Sequence, residues 1–522
     1  MKTVLSQYSR RTLLGSLFGI GSGLSIKKAP AFFRPEAHRP QALWGSSIGE
    51  LNQKGAIVWS RCDQAALFKL EWSLSPDFKV IHATPTVQAL PEFDFTVRVP
   101  LRKLPSGRRI YYRGYFESLL HRGARSIPIY GEFTTPSEKG DQVFRFAWSG
   151  DSFGQGYGIN PQFGGVKIYD SIRRSSPDVF IHCGDRIYAD QPLKPVKGGG
   201  KGRRWVNLVT PSVMKVAETL DDFRGYYRYT LLDEPTRRFQ QVTPHLYAWD
   251  DHEVKNDWWP GQEIRSRKYT IKSVDQLASA SKQAFFEYTP LPPSWMDFQR
   301  VYRTLYMNRL VQFFILDSRS YRGPNDEEFH KNKIPHQHSR YWGTEQLNWL
   351  KRALRESTAL WKVIVCPQPL SLVISSGSSR FDGFSSGSSR LSGREFEIND
   401  LLSFIYQQKI KNTVWLTADV HYAAAHHFHP DRSQVGAFNP FWEFIAGPLN
   451  AATLRPKRMD PTFGGQVEFT SVPSSLRGGL SPLDEQQFYG LGEINPYDLS
   501  LKISLHALNG KSIYTKQLFI QK

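Results

Sequence analysis

Residues 143–151 read "VFRFAWSGD" and residues 179–185 read "VFIHCGD". Each is a short apolar run that ends in Gly-Asp. Strands buried on both faces are written this way, and their carboxyl ends are where open α/β sheets present polar groups. The same pattern returns in "HLYAWDD" (245–251), "VQFFILDSR" (311–319), "KVIVCPQP" (362–369) and "NTVWLTADVH" (412–421). Helix-periodic stretches such as "GVKIYDSIRRS" (165–175) and "TEQLNWLKRALRES" (344–357) stand between some of them. Residues 143–522 are therefore expected to form a layered α/β domain.

Upstream, the pattern is different. From 39 to 135, segments such as "GAIVWSRC", "FKLEWSLS" and "RIYYRGYFES" alternate and are punctuated by turn residues, without helical periodicity. This predicts a small β-sandwich of immunoglobulin or fibronectin type, joined onward by the polar stretch "SEKGD" at 137–141. Two later segments read as plain loops. "PVKGGGKGRRW" (195–205) is Gly-rich and basic, without phosphate-loop spacing, and is expected to be a mobile rim loop. "SSGSSRFDGFSSGSSR" (375–390) contains Ser-Ser-Gly-Ser-Ser-Arg twice and reads as a flexible surface insertion without chemistry.

With 522 residues, 40% of them hydrophobic, the chain has ample material for a large core and two or three domains. No apolar run of about 18 residues follows the N-terminus, so no transmembrane anchor is expected. Three cysteines (Cys62, Cys183, Cys366) do not make a disulfide framework, and the apolar flanks of Cys183 and Cys366 suit buried thiols. The first 31 residues carry five positive charges and no acid. "SRRTLLGSLFGIGSGLSI" at 9–26 and "APA" at 29–31 have the layout of a twin-arginine signal, implying the twin-arginine export machinery and a periplasmic or extracellular destination. Formal charge is +19, five of it in this segment, which leaves +14. The remaining basic residues are scattered, which favours an anionic surface or anionic substrates over a stable nucleic-acid partner.

The strand ends carry the chemistry. Asp151 ends one strand; Asp185 ends the next, with Tyr188 three residues on. "YAWDDHEVKND" (247–257) supplies Asp250, Asp251, His252, Glu253 and Asn256. Gln368 follows "VIVCP", and Asp419 and His421 close "LTADVH". Like charges placed side by side in a buried position need a cation or strong donors. The competing reading of the acidic run is a helix N-terminus, with Asp250 or Asp251 as cap and Glu253 completing the box. That accounts for the run but not for the matching strand ends elsewhere.

"GD" at 150–151, "GDRIY" at 184–188, "DDHE" at 250–253 and "DVH" at 419–421 resemble the dispersed motifs of calcineurin-like metallophosphoesterases. More closely, "WDDHEVKND", "LDSRSYR", "GRE", "WLTADVHYAA" and "FWEFIAGPLNA" resemble the alkaline phosphatase D (PhoD-like) family. The resemblance implies an αββα metallophosphoesterase domain and a secreted phosphomonoesterase or phosphodiesterase in which metal-bound hydroxide attacks phosphorus directly. It assigns Asp151, Asp185, Tyr188 and His421 to ferric iron. Asp185, Asp251, Asp419 and Gln368 go to a second cation, whose all-oxygen set suits Ca²⁺, Mg²⁺ or Mn²⁺ better than zinc. Some members have cysteine at the first position, where this chain has Asp151. His252 or solvent would protonate the leaving oxygen, Asn256 would meet the substrate phosphate, and Arg319 could either bind phosphate or form a structural salt bridge with Asp317. The alternatives are a phospholipase D-like action on lipid headgroups and, from another class, an inactive cell-surface binding protein.

Overall fold

The computed structural model describes residues 38–121, 123–292, 300–375, 381–476 and 479–521; the segment read as an export signal lies outside them. Phe144–Ser149, Val179–His182 and His245–Tyr247 run parallel in one nine-stranded sheet, with His182 in register with both Ser149 and Tyr247. Their ends therefore arrive side by side. A second sheet of seven strands holds Val311–Ile315, Trp361–Val365, Thr413–Thr417 and Phe441–Ile445, also mutually parallel.

Alternation along these strands builds the layers. Phe313, Val363 and Leu416 face Phe146, Trp148 and Ile181 across a core between the two sheets. Their sequence neighbours Phe314, Ile364 and Trp415 point the other way, into a core shared with Leu347 and Leu350 of helix Gly343–Glu356 and Ile398 and Leu401 of helix Glu395–Gln407. On the far side of the first sheet, Phe180, Tyr247 and Trp249 pack with Ile172, Phe223, Tyr227, Phe239 and Phe285 from four helices. The order is helix, sheet, sheet, helix, and the mostly apolar runs follow from burial on both faces.

Residues 46–134 supply two groups of strands closed on a common core of Ile48, Val58, Val99, Phe68, Leu70, Tyr112 and Phe116. One group, Ser46–Asn52, Gly55–Arg61 and Thr96–Arg102, continues the nine-stranded sheet. The junction is a parallel pairing of Gly49 with His245. A Cβ at Gly49 would stand 2.4 Å from Pro290 Cγ and 2.8 Å from the His245 carbonyl, so only glycine admits this approach. The other group holds Ala66–Ser73, Arg109–Ser118 and Ile129–Thr134.

Described residues of both expected loops are tied into the fold. Residues 195–205 contribute to a hairpin, Val196–Gly198 with Arg204–Val206. Trp205 is fully buried and donates to the Gly158 carbonyl at 3.1 Å, while Arg203 reaches the Leu483 carbonyl at 2.8 Å. In the serine-rich stretch, residues 376–380 lie outside the described ones, but Asp382, Phe384 and Ser385 are buried. Cys62, Cys183 and Cys366 are buried free thiols. Among the described residues no helix is long and apolar enough to cross a membrane.

Candidate metal centre

Each strand end turns sharply. Asp151, Asp185, Asp419 and His421 have φ of 65°, 54°, 64° and 60°, a left-handed conformation that costs a non-glycine residue about 1–3 kcal/mol and clusters at functional sites. Backbone bonds hold the turns together: Ser152 N–H donates to the Asp185 carbonyl at 2.8 Å and Asn450 N–H to the Asp151 carbonyl at 3.1 Å. Glu253 is the main clamp. It accepts from the backbone N–H groups of Arg186 (2.6 Å), Asp250 (2.8 Å) and Asp185 (3.2 Å), tying two strand ends to each other. The acidic run itself forms a turn and not a helix.

Four overlapping groups of candidate ligand atoms result, each spanning no more than 4.8 Å: Asp151–Asp185–His421, Asp185–Asp251–His252, Asp250–Asp251–Asp419 and Asp251–Asp257–Asp382. Tyr188 joins the first, its hydroxyl 3.0 Å from His421 Nε2. His421 Nδ1 lies 2.7 Å from the Ala452 carbonyl, which fixes the ring and leaves Nε2 toward Asp151 Oδ1 at 3.7 Å. Asp151 Oδ2, Asp250 Oδ2 and Asp251 Oδ1 are buried without a hydrogen-bond partner. A Cβ on Gly447 would fall 2.3 Å from Asp151 Oδ2, so a side chain there would crowd that oxygen.

Burial pushes Asp151 well above the carboxylate range, with Asp250 adding to it; burial likewise raises Asp185, with His252 opposing, and Asp419. Tyr188 is raised by burial and by Asp185, and burial lowers His421 to about 4. Orphaned buried carboxylate oxygens in overlapping groups are expensive for a protein by itself and fit hard cations well.

Comparison with known proteins agrees with this geometry. The profile of the PhoD-like phosphatases matches residues 146–482, and that of their N-terminal domain matches residues 27–137. The chain belongs to the PhoD-like phosphatase family. It is a phosphoric ester hydrolase. Alkaline phosphatase D of Bacillus subtilis (strain 168) is 26% identical over 447 residues, covering 80% of this chain and 71% of that protein. A solved PhoD structure superposes with TM-score 0.68 at 20% identity, covering 94% of this chain and 93% of the other. A purple acid phosphatase from yellow lupin seeds follows at TM-score 0.53 and 14% identity, covering 92% and 74%. These two likenesses place the α/β layers in the metallophosphoesterase fold.

Around this PhoD-like centre the remaining candidates fall differently. His252 is stacked on Tyr188, ring centroids 4.1 Å apart, and its Nδ1 lies 2.7 Å from Asp190 Oδ1. Asp190 also accepts from the Asn256 N–H at 3.0 Å, leaving Asn256 exposed at the rim. Gln368 reaches the cluster, but the Tyr341 hydroxyl takes its oxygen, and its amide nitrogen faces Asp382 and, at 3.5 Å, Asp419. Its amide nitrogen braces the two carboxylates, and its oxygen keeps a second lone pair. Arg319, expected at the phosphate, is fully buried, with its guanidinium spent on Asp250 and Asp382. Asp190 and Asp382 were invisible in the sequence: the first follows the Tyr188 motif without a spacing rule, and the second sits in a serine-rich stretch.

Proposed function

We propose that the chain is an exported two-cation phosphatase that hydrolyses phosphate monoesters, diesters or both, with water as nucleophile. One observation carries this reading: Asp185 and Asp251 each belong to more than one ligand group, and buried oxygens in those groups lack partners. Asp151, Asp185, Tyr188 and His421 hold ferric iron; phenolate, imidazole and carboxylates suit it. Asp185, Asp251 and Asp419 hold calcium, or magnesium or manganese in its place, with Gln368 bracing Asp419. When bound, such a pair of cations polarises phosphoryl oxygens and acidifies water.

The protein does the rest. Asp190 anchors His252 through Nδ1 and Tyr188 fixes its plane, so Nε2 serves the leaving oxygen. Asn256, exposed at the rim, donates its amide to a phosphate oxygen without adding charge. The twin-arginine segment supports delivery of the folded, loaded enzyme to the periplasm or beyond. The test is elemental analysis of exported protein, a visible spectrum, and turnover of p-nitrophenyl phosphate and its bis ester. Iron, a divalent metal, a tyrosinate–iron absorption band and turnover are expected. Colourless, metal-free, inactive protein overturns the reading.

A further inference from the structure

Arg319 sits among three carboxylates with no exposure to solvent. Its Nε donates to Asp250 Oδ1 at 2.5 Å, and its Nη1 and Nη2 grip both oxygens of Asp382 at 2.8 Å each. Nη2 stays 3.6 Å from Asp251 Oδ1, outside hydrogen-bond distance, and that oxygen has no other partner. A guanidinium beside a cluster of carboxylates would be expected to close on the free one; here a bidentate fork fixes its plane elsewhere.

Asp382 is itself held firmly. Asn325 Nδ2 donates to Oδ1 at 2.8 Å, Arg322 Nη1 lies 3.3 Å away, and the Gln368 amide donates to Oδ2. Arg394 seats the segment by donating to the carbonyls of Asp382 (2.9 Å) and Gly323 (2.8 Å) and to Asn325 Oδ1 (2.7 Å). The serine-rich stretch thus delivers one fixed carboxylate to the underside of the site.

We infer that Asp382 is a positioning residue of the second cation site: it holds Arg319 off Asp251, so that Asp251 Oδ1 stays available to a divalent cation while the guanidinium still compensates charge. This rests on the two-cation reading above. Asp382 also falls within one ligand group, with Asp251 and Asp257, but both its oxygens are already committed to Arg319.

Calorimetric titration of iron-loaded protein with Ca²⁺, alongside the visible spectrum, tests it. In Asp382→Asn, Arg319 turns onto Asp251 and calcium affinity drops by about 10–100-fold, with the iron band unchanged. Arg319→Lys, which keeps the charge but loses the fork, weakens calcium in the same way and stands in should Asp382→Asn not fold. In an Arg319→Met background, Asp382→Asn has little further effect, whereas loss of a direct ligand would persist there undiminished. Affinity within twofold of the parent in both single variants, or an undiminished loss in the Met background, overturns the inference alone. A parent that binds none of Ca²⁺, Mg²⁺ and Mn²⁺ in the same titration overturns the two-cation reading as well.

Discussion

The two corners of the centre are built on opposite electrostatic plans. Around Asp151, Asp185, Tyr188 and His421, burial raises both carboxyls and the phenol, opposed by the His252 imidazole at both carboxyls and by a backbone hydrogen bond at Asp151. Around Asp250, Asp251 and Asp419 the protein supplies its own cation. Burial would raise Asp251, but Arg319 and His252 outweigh it and hold that carboxyl below its usual range; burial lifts Asp250 to about 6 against the pull of Arg319. Under the two-cation proposal, the first corner would suit a highly charged ion and the second, half-neutralised beforehand, a weaker one.

Substituting the shared residue removes the distinction altogether. Asp185→Asn is expected to lose both metals and more than about a hundredfold in turnover, beyond the range for groups that merely support ligands; iron content and activity measured on the same preparation check it. His252→Ala should leave both corners loaded and lower kcat by about 10²–10⁴-fold for alkyl esters, less for p-nitrophenyl phosphate, whose leaving group needs no proton. Arg319→Met takes the guanidinium out of the second corner alone: Asp250 keeps only neutral donors such as Ser318 and Asp382 keeps Arg322, so denaturant unfolding should show about 3–5 kcal/mol lost, while the iron band persists.

The smallest effect is a pH dependence of the metal-free chain. Burial raises Asp250 from 3.8 to about 6 and Glu253 from 4.5 to about 7. Groups whose pKa is raised on folding contribute stability that is complete below their unfolded values and is lost as pH climbs through the folded ones. The melting temperature of metal-free protein should therefore fall by a few degrees between about pH 4 and 7, and added metal should flatten that decline. A melting temperature that rises over this window would contradict the assignment.

Much of this was legible along the chain. Buried strands announce themselves as mostly apolar runs, and "VFRFAWSGD", "VFIHCGD" and "NTVWLTADVH" carry their acids at the turn that follows; strand Phe144–Ser149 and Asp151 lie where that pattern puts them. Composition misled where one residue outweighs its neighbours. Trp205 turns a Gly-rich basic loop into an anchored hairpin, and Asp382 makes a serine-rich insertion part of the centre. Gln368 and Arg319 both lie against the centre, but which way an amide or guanidinium points is set by partners far away in sequence.

The sequence by itself determined the layered class, the donor chemistry at four strand ends and the family, since periodicity, turn residues and side-chain type are local properties. Tertiary structure alone decided that Gly49 carries the sheet onward past His245, that Asp190 serves His252 and Asn256 together, and that Arg319 leans on Asp382 and not on Asp251. Those choices join groups 60 or more residues apart, and for Arg319 the margin is 2.8 against 3.6 Å; such distances exist only once the layers have packed.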